Sequence, residues 1–233
     1  MNKRVVIHQP NYLPYQGFFY KLLFCDVYII MDGVLFPSKG TGNFIYGNRI
    51  RGINKVQWLS VPTLRDGNQA ICDVKISHNE WKNGHKHILA IKMAYEKASY
   101  FKEYFEEIVA ILSVDYTNLV TLNCELIRYF CTQLQIPIEF IAMSSLHTKG
   151  VSTELLISLS HSVGATTYVS GPSGKKYMNM KEFEKEGIDC NFPEFIHPRY
   201  SQVGKEDFIP NLSIIDLLMN CGPESREILL GKT

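Results

Sequence analysis

The sequence predicts an α/β fold: a mixed, mainly parallel sheet flanked by helices, Rossmann-like, with a helical segment in the middle. Three observations predict it. A short apolar strand, a short amphipathic helix and a second apolar strand follow one another between Val5 and Met31, which is a βαβ unit. The middle of the chain has apolar residues at helical spacing over three long stretches. Short apolar runs bounded by turn residues then return in the last third.

Val5-Val6-Ile7 is a strand cut off by the polar run His8-Gln9-Pro10-Asn11-Tyr12. Gly17 to Leu23 reads as an amphipathic helix with Phe18, Leu22 and Cys25 towards one face, and Val27 to Met31 as a second buried strand. From Phe36 to Gly52 the chain is rich in Gly, Asn, Lys and Arg and has no lasting period, which predicts a functional loop or irregular strands. Gln57 to Pro62 alternates as a strand does, and Val74-Lys75-Ile76 is a short one. Helices are predicted over His85 to Lys97, Tyr100 to Leu112 and Tyr116 to Leu134. A strand over Ile136 to Met143 and a helix from Ser152, capped by the Ser152-Thr153-Glu154 pattern and ending near Gly164, come next. Thr166 to Ser170 is a strand feeding the Gly171-Pro172-Ser173-Gly174 turn. Ile188 to Phe192 is another strand, and Leu212 to Asn220 a final helix. No repeat, low-complexity tract or composition break marks a boundary, so residues 1–233 are expected to form one domain.

The composition is that of a globular protein, with 45% hydrophobic and 20% charged residues. A formal net charge of +1 gives no overall field to recruit nucleic acid or an anionic membrane. No run approaches the roughly 18 to 20 apolar residues of a membrane span. The basic opening Met1-Asn2-Lys3-Arg4 is followed by too short an apolar run for a signal peptide, so a cytoplasmic location is expected. The six cysteines contain no C-x-x-C pair, which argues against a zinc ribbon; Cys124 and Cys131 suit a helix face in the core. His85 and His87 lie two apart and diverge on a helix, so no metal site is expected.

Four constellations carry polar chemistry. The loop His8-Gln9-Pro10-Asn11-Tyr12-Leu13-Pro14-Tyr15 follows the carboxyl end of the first strand, where open α/β sheets bind ligands. It is either a satisfied structural turn or a site. Ser170-Gly171-Pro172-Ser173-Gly174-Lys175-Lys176 offers glycines for close approach and lysines for phosphate, without the P-loop spacing. Asn43 to Arg51 holds Asn48 and Arg49, and an arginine fork suits carboxylate or phosphate. The run His197 to Gln202 holds Tyr200 and Gln202, with Asp216 on the last helix, where it could equally charge the first turn.

The layout Gln9-Pro10…Gly17 followed by Cys25 to Ile30 resembles the nucleotidyltransferase and class I synthetase superfamily, although Tyr15 and Phe18 stand where paired histidines would clamp phosphates. A closer resemblance spans nearly the whole chain. Ile7-His8-Gln9-Pro10-Asn11-Tyr12-Leu13-Pro14-Tyr15-Gln16-Gly17-Phe18, Asp32-Gly33-Val34, Asn48-Arg49-Ile50 and Gln57 to Pro62 resemble motifs of the WbqC-like family. So do Tyr168 to Pro172, Tyr200-Ser201-Gln202 and Leu212 to Gly222, in the same order. The resemblance implies a protein of bacterial surface-polysaccharide biosynthesis, in particular of O-antigen and lipopolysaccharide. Some members of the family are proposed to attach an amino acid such as glycine to an amino sugar. This sequence has Asp32-Gly33 where a second acidic residue is common, leaving Asp32 alone.

The expected activity is a transferase acting on a nucleotide-linked amino sugar by aminoacyl (glycyl) or related acyl transfer. The alternative is a non-catalytic sugar-nucleotide binding module of an assembly complex. His8 or Asp32 is the expected base. Gln9, Asn11, Tyr12, Tyr15, Asn48, Arg49, Ser170, Gly171, Lys175, Tyr200, Gln202 and Asp216 are expected to bind substrate, with Arg49 and Lys175 on phosphates. An activated acyl group implies ATP or a carrier-bound donor.

Overall fold

A computed structural model describes residues 2–37, 43–52, 56–64, 67–204 and 207–232. In chain order it comprises β1 (Arg4–His8), α1 (Gln16–Leu22), β2 (Val27–Ile30), β3 (Gly47–Arg51), β4 (Val56–Ser60), β5 (Thr63–Leu64) and β6 (Lys75–Ile76). Helices α2 (His78–Trp81), α3 (His85–Tyr95), α4 (Phe101–Leu112) and α5 (Leu119–Gln133) follow. Then come β7 (Glu139–Ala142), α6 (Ser152–Ser162), β8 (Thr167–Val169), α7 (Met180–Lys185), β9 (Asp189–Asn191), α8 (Ile214–Cys221) and α9 (Ser225–Leu229). These elements group into two compact units, each assembled from separated segments. The first unit comprises 1–9, 17–33 and 136–196; the second comprises 10–16, 34–135 and 197–233.

The first unit is a five-stranded sheet in the order β7-β2-β1-β8-β9, and every pairing in it is parallel. Alternation along the strands sends side chains to opposite faces. Val5, Ile7, Val27 and Ile29 pack with Leu156, Ile157 and Leu159 of α6 and Phe183 of α7. On the other face Phe18 of α1 meets Tyr28 edge-on, with ring centroids 5.8 Å apart. Both faces are therefore covered, as a parallel sheet requires. The antiparallel strands anticipated in a mixed sheet lie elsewhere, in the second unit.

There β3 pairs with β4 and β5 with β6, both antiparallel. Gly47 opens the first pair because a Cβ would stand 2.6 Å from the Trp58 indole nitrogen and 2.7 Å from the Leu59 carbonyl. The core is helical: Ile91, Tyr95, Ile108, Leu112, Leu122, Leu126, Ile127 and Phe130 are buried. Helix α8 is buried from Ile214 to Met219, with Ser213 as its N-cap accepting from the Ile215 N–H.

One local expectation is corrected. Ser152 does not cap α6: its φ of 52° is left-handed, whereas a capping residue is extended, and the N-cap position is Val151 with no side-chain bond. Thr153 Oγ1 instead accepts from the Asn179 N–H, and Glu154 lies where a Cβ on Gly150 would stand.

Candidate functional site at the carboxyl edge of the parallel sheet

The chain leaves β1 for β2 on one side and, after β7, crosses to β8 on the other side of β1. The strand order thus reverses between β1 and β8. Their carboxyl ends form a switch point, where the diverging loops of such sheets leave room for a ligand. His8 closes β1, and Ser170 and Gly171 follow β8.

The His8 ring lies edge-on to Phe18, with centroids 5.3 Å apart and an interplanar angle of 84°. Its Nδ1 is 2.8 Å from the Gln9 carbonyl oxygen, which can only accept. The neutral ring therefore carries its proton on Nδ1 and its lone pair on Nε2. Desolvation, reinforced by the positive charge of Lys21, pulls the His8 pKa down to about 3. His8 is neutral at physiological pH.

Lys21, in the last turn of α1, was not singled out from the sequence. Its Nζ stands 5.8 Å from the centroid of Phe18, the same ring that His8 meets. Desolvation lowers its pKa to about 8, with the nearby Cys25 thiol opposing the shift. No ion pair or hydrogen bond reaches its ammonium among the described residues. Among the described residues, Lys21 Cδ is the one atom within 4 Å of a Cβ placed on Gly171, at 3.9 Å, which puts the lysine stem beside the β8 turn.

Ser170 is buried, and its N–H donates to the Asn191 carbonyl at 2.9 Å. The turn needs glycine at 174 because Ser170 Oγ occupies the place of its Cβ. Lys175 is exposed and lies over the Phe192 ring at 4.9 Å. Asp32 follows β2 at the same edge and is buried. Its Oδ1 accepts from the Ser144 N–H at 2.9 Å and its Oδ2 from the Ser144 hydroxyl at 2.7 Å. His8, Gln9, Asp32, Ser170, Gly171 and Lys175 thus all belong to the first unit, at the carboxyl ends of its strands.

The remaining anticipated site residues belong to the second unit, and several are consumed by its architecture. Tyr12 donates its hydroxyl to His87 Nδ1 at 2.7 Å, while His87 Nε2 faces the Ser60 carbonyl at 3.2 Å. Burial lowers the His87 pKa to about 4. Asn48 Nδ2 donates to the carbonyls of Tyr12 and Leu13 at 3.2 and 2.8 Å, and its Oδ1 accepts from the Arg49 N–H. Asn123 of α5 donates to the carbonyls of Pro10 and Ile45. Asn11 is buried in the same loop, and Tyr15 bridges antiparallel to Ser213. The polar loop that looked rich in ligand groups is in large part a hydrogen-bonded anchor.

A second cluster surrounds Asp216, buried in the first turn of α8. Its Oδ2 accepts from the Tyr200 hydroxyl and from Gln202 Nε2, both at 2.7 Å. Gln16 Nε2 donates to the Tyr200 oxygen at 2.6 Å, and Arg51 Nη1 donates to Gln202 Oε1 at 3.2 Å. Burial raises the Asp216 pKa against the pull of these donors. Sequence reading found Tyr200, Gln202 and Asp216 but not Gln16 or Tyr95, whose hydroxyl accepts from the Arg51 N–H at 3.0 Å.

No group of three or more His, Cys, Asp or Glu residues suited to a metal occurs among the described residues. A family model described as the WbqC-like protein family matches residues 9–228. The chain is also similar to the uncharacterized protein Rv1507c of Mycobacterium tuberculosis (strain ATCC 25618 / H37Rv), with 32% identity over 231 residues covering 97% of each chain. No solved structure matches it.

Proposed function

The chain belongs to the WbqC-like protein family, and we propose on that premise that it is a transferase of surface-polysaccharide biosynthesis that acylates the amino group of a nucleotide-linked sugar. The observation that carries this reading is an imidazole and a partly buried ammonium that share the Phe18 ring at the switch point of a parallel sheet.

In this reading the amine nitrogen of the sugar attacks the acyl carbon of an activated donor. The N–C bond forms, the bond to the leaving group breaks, and the leaving group departs with its electron pair. His8 Nε2 takes the proton shed by the amine and returns it to the leaving group. Desolvation is the larger cause of its low basicity and the Lys21 charge the smaller; an anion beside Lys21 offsets the second. Lys175 and the Ser170-Gly171 turn hold phosphate. Asp32 acts by fixing the Ser144 turn at the same edge. The donor is an acyl-adenylate formed from ATP or a carrier-bound acyl group.

A second reading, a sugar-nucleotide binding module without turnover, is favoured by the same low His8 basicity. Purified protein incubated with amino-sugar nucleotides and activated acyl donors separates the two. Formation of the N-acyl product supports the enzyme; binding of the nucleotide sugar with no product supports the module.

A further inference from the structure

We propose that Lys21 and the Gly171 turn, beside His8, form a binding site for a phosphoryl anion at the carboxyl edge of the parallel sheet. The ligand class is the diphosphate of a nucleotide-linked substrate or a free diphosphate. The inference rests on the reading that this edge is the working site, and it adds a binding residue that neither the sequence motifs nor the family assignment supplied.

Three independent placements bring the groups together. Lys21 Nζ and the His8 ring share Phe18, at 5.8 Å and 5.3 Å between centres. The Lys21 stem runs beside Gly171, whose missing side chain leaves the approach open. The strand order puts His8 and Gly171 at the switch point.

The charge pattern around Lys21 selects an anion. An ammonium taken partly out of water costs free energy unless a counter-charge meets it. Asp32, which follows β2 at this edge, is engaged by Ser144, and Asp26, before β2 at the opposite edge, by Arg4 at 2.8 Å. Burial holds the Cys25 thiol neutral, with its pKa raised to about 12. Among the described residues, no carboxylate pairs with the Lys21 ammonium at the carboxyl edge. A phosphoryl group would complete the pairing, accepting from the ammonium and from backbone N–H groups of the Gly171 turn.

The test is titration of the full chain with inorganic pyrophosphate, and separately with ADP and UDP, at low ionic strength and neutral pH. Wild-type protein is expected to bind at least one of these. Lys21→Met should weaken that binding at least tenfold, whereas Lys21→Arg should stay within about threefold. Lys3→Met, which removes a half-buried lysine before β1 that pairs with Glu139, should leave binding unchanged. If a nucleoside diphosphate shows the Lys21 dependence and pyrophosphate does not bind, the ligand is the nucleotide; the reverse identifies a free diphosphate. Equal affinities for wild type and Lys21→Met, or no binding of any probe by folded wild-type protein, would overturn the proposal. Should Lys21→Met not fold, protection of the Lys21 amine from acylation by pyrophosphate or a nucleoside diphosphate at pH 8 reads the same contact in the wild type. Diphosphate held through Lys21 in a protein that makes no acyl product would defeat acyl transfer and keep this site. Product formation with anion affinity indifferent to Lys21 would do the reverse.

Discussion

Asp32 and Ser144 are joined by two hydrogen bonds, the backbone N–H to Oδ1 at 2.9 Å and the hydroxyl to Oδ2 at 2.7 Å. The carboxylate is buried and ties the segment after β2 to the turn after β7. Asparagine can keep both contacts, accepting from the N–H and donating to a rotated hydroxyl. Asp32→Asn is therefore expected to unfold in urea within about 1 kcal/mol of wild type and to keep its turnover. Asp32→Ala strands the Ser144 N–H and should cost about 1–3 kcal/mol. An asparagine variant that folds normally but loses turnover would return Asp32 to the chemistry.

His8 and His87 make the fold sensitive to acid. Their folded pKa values, about 3 and about 4, lie below the ordinary 6.5, so the unfolded chain binds protons first as pH falls. Stability is full above about pH 6.5 and is lost as pH falls towards 4 and then 3, by roughly 1.4 kcal/mol for each unit of pH and each histidine. Guanidinium midpoints at pH 7 and pH 4.5 should differ clearly, and His8→Gln should reduce the difference. A midpoint independent of pH over this range contradicts the burial of both rings.

Lys21 works in the alkaline range. Its folded pKa of about 8 lies below 10.5, so the unfolded chain holds the proton more tightly and stability rises between about pH 8 and 10.5. At neutral pH, in the absence of anion, Lys21→Met should stabilise the protein by about 1–2 kcal/mol, a figure reduced for the partial exposure of the side chain. The stability gain from added pyrophosphate should shrink with it. A Lys21→Met variant less stable than wild type would mean that the ammonium has a partner.

The Asp216 cluster is a structural requirement of the second unit. Asp216→Ala removes the acceptor of the Tyr200 hydroxyl and one of the two acceptors of Gln202 Nε2, and should cost about 1–3 kcal/mol for each bond lost. Tyr200→Phe removes one donor to Asp216 and the acceptor of Gln16, for about 1–3 kcal/mol. Thermal unfolding of both variants checks this; changes within about 0.5 kcal/mol would show that the cluster is loosely held.

The parallel sheet was legible because its three inner strands lie in short apolar runs between turn residues, as in Val5-Val6-Ile7 and Val27 to Ile30. Strand β3 was not. Gly47-Asn-Arg-Ile-Arg51 is polar in sequence yet mostly buried, because tertiary hydrogen bonds such as those of Asn48 satisfy it. The polar loop after β1 was located correctly, but which of its groups remain available depends on partners far along the chain, His87 and Asn123 among them. Lys21 carried a readable signal that was passed over. It lies three residues after Phe18 and four before Cys25, on the stripe already assigned to the buried face of the helix. A lysine on an apolar stripe is a more informative observation than a histidine in a polar run.

In the proposed reaction His8, at the carboxyl end of β1, exchanges the proton of the attacking amine. The most direct measurement is the rate of N-acyl product formation by His8→Gln, which retains hydrogen-bonding capacity but cannot serve as a base, against wild type with the same amino-sugar nucleotide and activated donor. A fall of about a hundredfold or more in turnover, with the affinity for the nucleotide sugar little changed, is the expected result. Turnover within a few-fold of wild type in a folded His8→Gln protein would contradict it.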